Sequence, residues 1–68
     1  MTPKQKAKEL IYKFEGTGID IYDATQVNLI AINEIMEQLD EVRNITGSSY
    51  VLRIIDYWQE VKLETENL

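Results

Sequence analysis

Apolar side chains recur along this chain at helical spacing, in three separate stretches. In the first, Ala7, Leu10, Ile11 and Phe14 fall at i, i+3, i+4 and i+7, which places them on one face of a helix. Its start is marked. Thr2 stands where a cap belongs, Pro3 occupies the first helical position, and Gln5 follows Thr2 by three as a capping box requires. Gly16 supplies a stop. The pattern predicts a helix over 3–15.

A second stretch opens near Asp23, with Gln26 three residues on as another capping box. It predicts a helix over 24–43, ending at Arg43 or Asn44. Ala24, Asn28, Ala31, Ile32, Ile35, Leu39 and Val42 share its inner face, widened by Leu29 and Met36. Glu34, Glu37 and Glu41 lie opposite, with Ile30 among them. Between these two helices, Ile19, Ile21 and Tyr22 alternate in a connector over 16–22, read as an extended strap across the bundle. Gly47-Ser48-Ser49 is a turn with a serine placed to cap the third helix, predicted over 49–67. Val51, Ile54, Ile55, Trp58, Val61 and Leu68 form its stripe. Tyr50 and Tyr57 flank that stripe one heptad apart, and Leu52 and Leu63 project elsewhere.

The turn between the second and third helices is short, which makes them antiparallel neighbours. The expected architecture is therefore all-α and covers residues 1–68 as one domain. A short first helix lies across an antiparallel hairpin, giving a three-helix bundle with Trp58 buried against Ile32, Ile35 or Leu39. A chain of 68 residues buries only about 60% of the surface its unfolded form exposes. Small scaffolds are commonly stapled by disulfides, a metal or a partner subunit. Cysteine and histidine are both absent, which removes disulfides and the usual zinc ligands. Oligomerisation is then the expected staple, with Ile30, Leu52 and Leu63 as the subunit interface. The competing reading is ordinary, since single exposed apolar residues are normal on monomers.

Charge and chemistry narrow the function classes. The formal net charge is −5, which disfavours long nucleic acids, whose phosphates require a basic face. No basic-then-apolar leader and no apolar run near 18 residues is present, so the expected location is the cytoplasm, with no membrane partner. Asn44-Ile45-Thr46 matches a glycosylation sequon, which in that compartment is coincidental. Without Cys or His there is no triad-like nucleophile and base. Glu34, Glu37, Asp40 and Glu41 lack the histidines of a di-metal bundle and face outward. Gly16-Thr17-Gly18 lacks the third glycine and the preceding strand of a dinucleotide fingerprint. No enzyme activity, cofactor or metal is expected.

One feature stands against the acidic background. Lys4, Lys6, Lys8 and Lys13 all fall in the first helix, near Tyr12 and Tyr22. Lysines hold phosphates and aromatic rings stack on bases. This points to a candidate ligand site in which Tyr12 stacks, Lys8 and Lys13 hold phosphates, Tyr22 and Asn28 contribute, and Arg53 reaches in from a neighbouring subunit. The same residues also read as a solvated helix face, an amphipathic cover over the core and, for Asn28, a register-setting core amide.

Lys6-Ala7-Lys8-Glu9-Leu10 through Lys13-Phe14, Leu29-Ile30-Ala31-Ile32-Asn33-Glu34-Ile35 and Tyr57-Trp58-Gln59-Glu60-Val61-Lys62 resemble a family of short helical proteins of phages and phage-derived bacterial regions. Members often carry a lysine and a cysteine early in the central helix, where this chain has Thr25 and Val27. The size, helix order and Tyr/Lys pairing also look like the phage anti-defence (anti-CBASS) sponges. That resemblance implies a non-enzymatic homo-oligomer that sequesters a cyclic nucleotide immune signal in the host cytoplasm. The alternative expectation is a helical protein–protein interaction or regulatory protein of a phage, without a small-molecule ligand.

Overall fold

The computed structural model describes residues 1–14, 17–18 and 20–68. They form three helices and no strand: α1 (Pro3–Tyr12), α2 (Ile21–Thr46) and α3 (Ser49–Glu66). α2 and α3 make an antiparallel hairpin about a two-residue connection, and α1 rests on it, chiefly against α3. No helix among the described residues is long and apolar enough to cross a membrane.

Local chemistry sets the ends. The Thr2 hydroxyl accepts from the Gln5 N–H at 3.2 Å, and the Gln5 side chain accepts from the Thr2 N–H at 2.9 Å, so the expected capping box forms. α1 is shorter than expected. Lys13 caps it, and Phe14 continues only as a turn whose N–H donates to the Ile11 carbonyl at 3.0 Å. The expected stop at Gly16 lies outside the described residues, as does Ile19.

The start of α2 requires a correction. Its cap is Asp20, whose carboxylate accepts from the Asp23 N–H at 2.9 Å, so Asp23 sits inside the first turn. Aspartate is favoured at both positions, by capping and by the helix dipole, and the earlier cap adds a turn. Ile21 and Tyr22 therefore belong to the helix, not to an extended strap, and both are exposed. α2 also continues through Ile45 and Thr46 and ends at Gly47, whose φ of 65° is the left-handed conformation that glycine adopts cheaply. Ser48 occupies the cap position of α3 but makes no side-chain capping bond.

The core is narrow. Ala7, Ile32 and Val61, one residue from each helix, are almost fully buried together, with Leu10, Met36, Tyr57 and Trp58 packed around them. Trp58 packs against this cluster, but it is half-buried, not buried as expected. Ile11, Ala24, Asn28 and Thr65 complete the buried set. The predicted stripes thus split along their length. On α2, Ala24, Asn28 and Ile32 are buried, Ile35 and Leu39 are half-buried, and Ala31 and Val42 are exposed. On α3, Val51, Ile54 and Ile55 are half-buried and Leu68 is exposed. Toward Gly47 the cause is the length of α1. Its 10 residues span about 15 Å, whereas the 26 of α2 span about 39 Å. α1 covers only the half of the hairpin that holds Ile32 and Val61. The result is an elongated molecule of 42 × 19 × 16 Å with a radius of gyration of 13.1 Å, against roughly 11 Å for a compact chain of this length.

Thr65 joined the core unannounced. It is fully buried because its hydroxyl donates to the Val61 carbonyl one turn back at 2.8 Å, which satisfies the polar atom and leaves a methyl to pack.

Two substitutions separate these contributions. Ile32→Ala should destabilise by about 2–5 kcal/mol, because it opens a cavity where all three helices meet. Gly47→Ala should cost about 1–2 kcal/mol from backbone conformation alone, since open space surrounds that position. Thermal or urea unfolding of both variants measures the difference. Equal costs would contradict this assignment of the core.

Candidate functional site

α1 supplies the candidate site because its outer face is basic while its inner face is apolar. Ala7 and Ile11 turn inward, which leaves Lys4, Lys8 and Tyr12 outward at successive i, i+4 steps. Gln5, Lys8, Glu9, Tyr12 and Lys13 line an open depression of about 460 Å³ on this face. Three of the expected ligand residues, Lys8, Tyr12 and Lys13, are therefore brought together.

Its electrostatics are uneven. The Glu9 carboxylate lies 3.2 Å from the Lys6 ammonium and 3.8 Å from that of Lys13. Glu9 thus offsets part of the positive field, and sequence reasoning gave it no role in the site. Lys8 makes no ion pair among the described residues. Among the described residues the depression presents the unpaired Lys8 ammonium four residues from an exposed phenol ring. That can meet a phosphate and a planar group together, though only from one side.

The remaining expected residues do not join it. Tyr22 is 69% exposed and lines a separate open cavity of about 310 Å³ with Thr25, Leu29 and Leu68. Ile21 and Leu68 stand between the two tyrosines, since both also line a small cavity of about 110 Å³ with Lys8 and Tyr12. Arg53 is exposed in the other half of α3, eight residues before Val61, or roughly 12 Å along the axis. It does not line the depression on α1.

Asn28 lies in the core, where its reading as a register-setting amide put it, and not among the residues that line the depression on α1. It is 6% exposed, and its Nδ2 has no hydrogen-bond partner among the described residues. A buried amide donor left unpaired costs about 1–3 kcal/mol.

The three residues expected at a subunit interface are all exposed: Ile30 at 70%, Leu52 at 40% and Leu63 at 56%. They do not make one patch. Ile30 stands two residues from both Asn28 and Ile32, and Leu63 two residues from both Val61 and Thr65. Each is therefore about 160–200° around its own helix from the buried seam. Ile30 sits on the back of α2, and Leu52 and Leu63 on the back of α3, eleven residues or roughly 16 Å apart along its axis.

The apolar surface that is continuous lies elsewhere. The spacing of Asn28 and Ile32 continues to Ile35, Leu39 and Val42, and that of Val61 runs back through Trp58 and Ile54 to Val51. Past the end of α1 these residues are half-buried or exposed, because two helices shield a seam from two sides only. Tyr50, one heptad before Tyr57, is 68% exposed at the same end. Among the described residues no group of acidic side chains converges as a metal ion would need. No protein family, curated protein or solved structure matches the chain.

The orphaned amide gives a direct test. Asn28→Leu keeps the branched shape and the number of heavy atoms and removes the unpaired donor, so stability should rise by about 1 kcal/mol. Chemical denaturation reads this. A loss of stability would show that the amide is satisfied in solution.

Proposed function

We propose that this chain is a non-enzymatic helical protein that acts by associating with a protein partner through the open half of the α2–α3 hairpin. One observation carries the reading. The seam that α1 closes around Ile32 and Val61 continues for several turns with no third helix over it, leaving Val42 and Tyr50 exposed and Leu39 and Ile54 half-covered. Contiguous apolar surface of this kind on a small protein marks an interaction site. Association also answers the size problem, because a chain of 68 residues gains stability from whatever binds its native state.

A second reading is favoured by the depression on α1. There Lys8, Tyr12 and Lys13 would hold a phosphate-bearing nucleotide, as the likeness to cyclic-nucleotide sponges of phages implies. Glu9 opposes it, and a pocket closed from one side only needs a second surface, such as another subunit bringing Arg53, to exclude water.

Site-specific photo-crosslinking in bacteria expressing the full chain tests the association reading. A photo-reactive phenylalanine derivative at Val42 or Tyr50 should yield covalent protein adducts, and the same group at Glu34 or Lys4 should not. Adducts of equal strength at all four positions, or none at Val42 and Tyr50, would overturn it. For the second reading, cyclic di- and trinucleotides should raise the melting temperature, and Tyr12→Ala should weaken binding by about 1–3 kcal/mol if its ring stacks on a base. Absence of any shift removes that reading.

A further inference from the structure

Among the described residues, α1 is joined to the hairpin by packing alone. No hydrogen bond or ion pair runs from residues 2–14 to α2 or α3, and Lys6 and Lys13 pair with Glu9 of their own helix. The seated face is small. Ala7 and Ile11 are buried, and Leu10 and Phe14 are half-buried. What lies beneath is not wholly apolar. Ala7 sits with Ile32 and Val61, and Ile11 and Tyr12 sit with Ile21 and Leu68 at the next level of the hairpin. Between those levels the seam carries Asn28, four residues before Ile32, and Thr65, four residues after Val61, both buried. Seam residues shielded by α2 and α3 alone are half-buried, as Ile35, Leu39 and Ile54 are. The burial of Asn28 and Thr65 therefore comes from what lies over the seam, and α1 spans the levels on both sides of them. Thr65 is satisfied by its bond to the Val61 carbonyl at 2.8 Å. The Asn28 Nδ2 has no partner among the described residues. An unpaired amide donor carries its desolvation penalty only while water is kept from it. Lifting α1 gives that donor water. Lost apolar contact opposes the opening, and the hydrated amide favours it.

We propose that α1 is a latch: it lifts off the hairpin as a unit while α2 and α3 stay paired, and the unpaired Asn28 amide sets how often it does so. Gly18, with a φ of 85°, lies in the connection to α2 and supplies the backbone freedom that a hinge uses. In the lifted state Ile32 and Val61 join the half-covered seam, which then runs along the hairpin from Val42 and Val51 to Thr65. The position of one short helix thereby governs how much apolar surface the chain presents. The inference concerns the chain alone and does not depend on what binds the open half.

Native-state hydrogen exchange of the full chain in low urea tests this. Relative to their intrinsic rates, the amides of Leu10 and Ile11 should exchange about tenfold or more faster than the slowest amides of α2 and α3. Their urea dependence should be shallower, since lifting exposes less surface than unfolding. The chain has no cysteine, so Val61→Cys places a single thiol under α1. Its reaction with a thiol reagent should report an opening of the same frequency and the same shallow urea dependence. Thr65→Cys, at a second buried position under α1, serves if Val61→Cys folds poorly. Asn28→Leu should slow both readouts about fivefold, the factor that about 1 kcal/mol is worth, because lifting then hydrates no orphaned donor. Equal protection of α1 and the hairpin would overturn the proposal, since α1 would leave only on global unfolding. Fast exchange in α1 with a thiol that reacts only at the global unfolding rate would overturn it as well, because fraying in place does not uncover Val61 or Thr65. Unchanged opening rates in Asn28→Leu would overturn the role given to that amide.

Discussion

The structure depends on one meeting point, where Ala7, Ile32 and Val61 pack together out of water. A helical hairpin alone cannot close a core, because each seam residue has one neighbouring helix and solvent on its remaining sides. The third helix converts half-burial into burial. Alanine at position 7 lets α1 approach closely, and the larger Leu10, Met36, Tyr57 and Trp58 fill the margin around the contact. The core extends only as far as α1 does, and the capping box at Thr2 together with Pro3 fixes where α1 begins.

That constraint also divides the molecule energetically. Around Ile32 and Val61, α2 and α3 are held by apolar burial on two sides. Toward Gly47 they depend on each other and on intrahelical hydrogen bonds, among them the threonine hydroxyl bond from Thr46 to the Val42 carbonyl at 2.9 Å. Segments with few buried apolar contacts open locally at low free energy. The end that could receive a partner is thus also the end best able to adjust to one. Ordering it on binding would draw on the interaction energy.

Much of the fold was legible as periodicity. Three apolar stripes, the Thr2–Pro3–Gln5 start and the glycine after α2 place the helices to within a few residues. What periodicity cannot supply is whether a stripe is covered. Val42 shares the spacing of Leu39 but is exposed because cover depends on how far another helix reaches, and Ala31, beside the buried Ile32, is exposed because it stands at the edge of the stripe. Asp20 was passed over because Asp23 and Gln26 offered a plausible box three residues later, and Ile21 and Tyr22 looked like alternation only while they were kept out of the helix. Thr65 was missed because a threonine reads as polar until its hydroxyl is seen bonded to its own helix. In the candidate site, Lys8 and Tyr12 were recoverable from i, i+4 spacing, and the burial of Asn28 from its place in the stripe. The separation of Tyr22 and Arg53 from that site was not, since it depends on where α1 sits along the hairpin.

The two functional readings place opposite demands on α1. In the nucleotide reading, its outer face is the working surface, and Glu9 between Lys6 and Lys13 is a liability that lowers the field where phosphates would bind. In the association reading, α1 is a packing element, and the same Glu9 is useful because pairs at i+3 and i+4 support a short helix by roughly 0.2–0.5 kcal/mol each. A helix of 10 residues falls below the length at which isolated helices persist in water, so it needs such local support and its docking on the hairpin. The positive charge of α1 is then balanced in part within the helix itself, since Glu9 lies 3.2 Å from Lys6 and 3.8 Å from Lys13. The uncovered seam beyond α1 still has no counterpart within the chain, and this asymmetry favours the protein-partner reading.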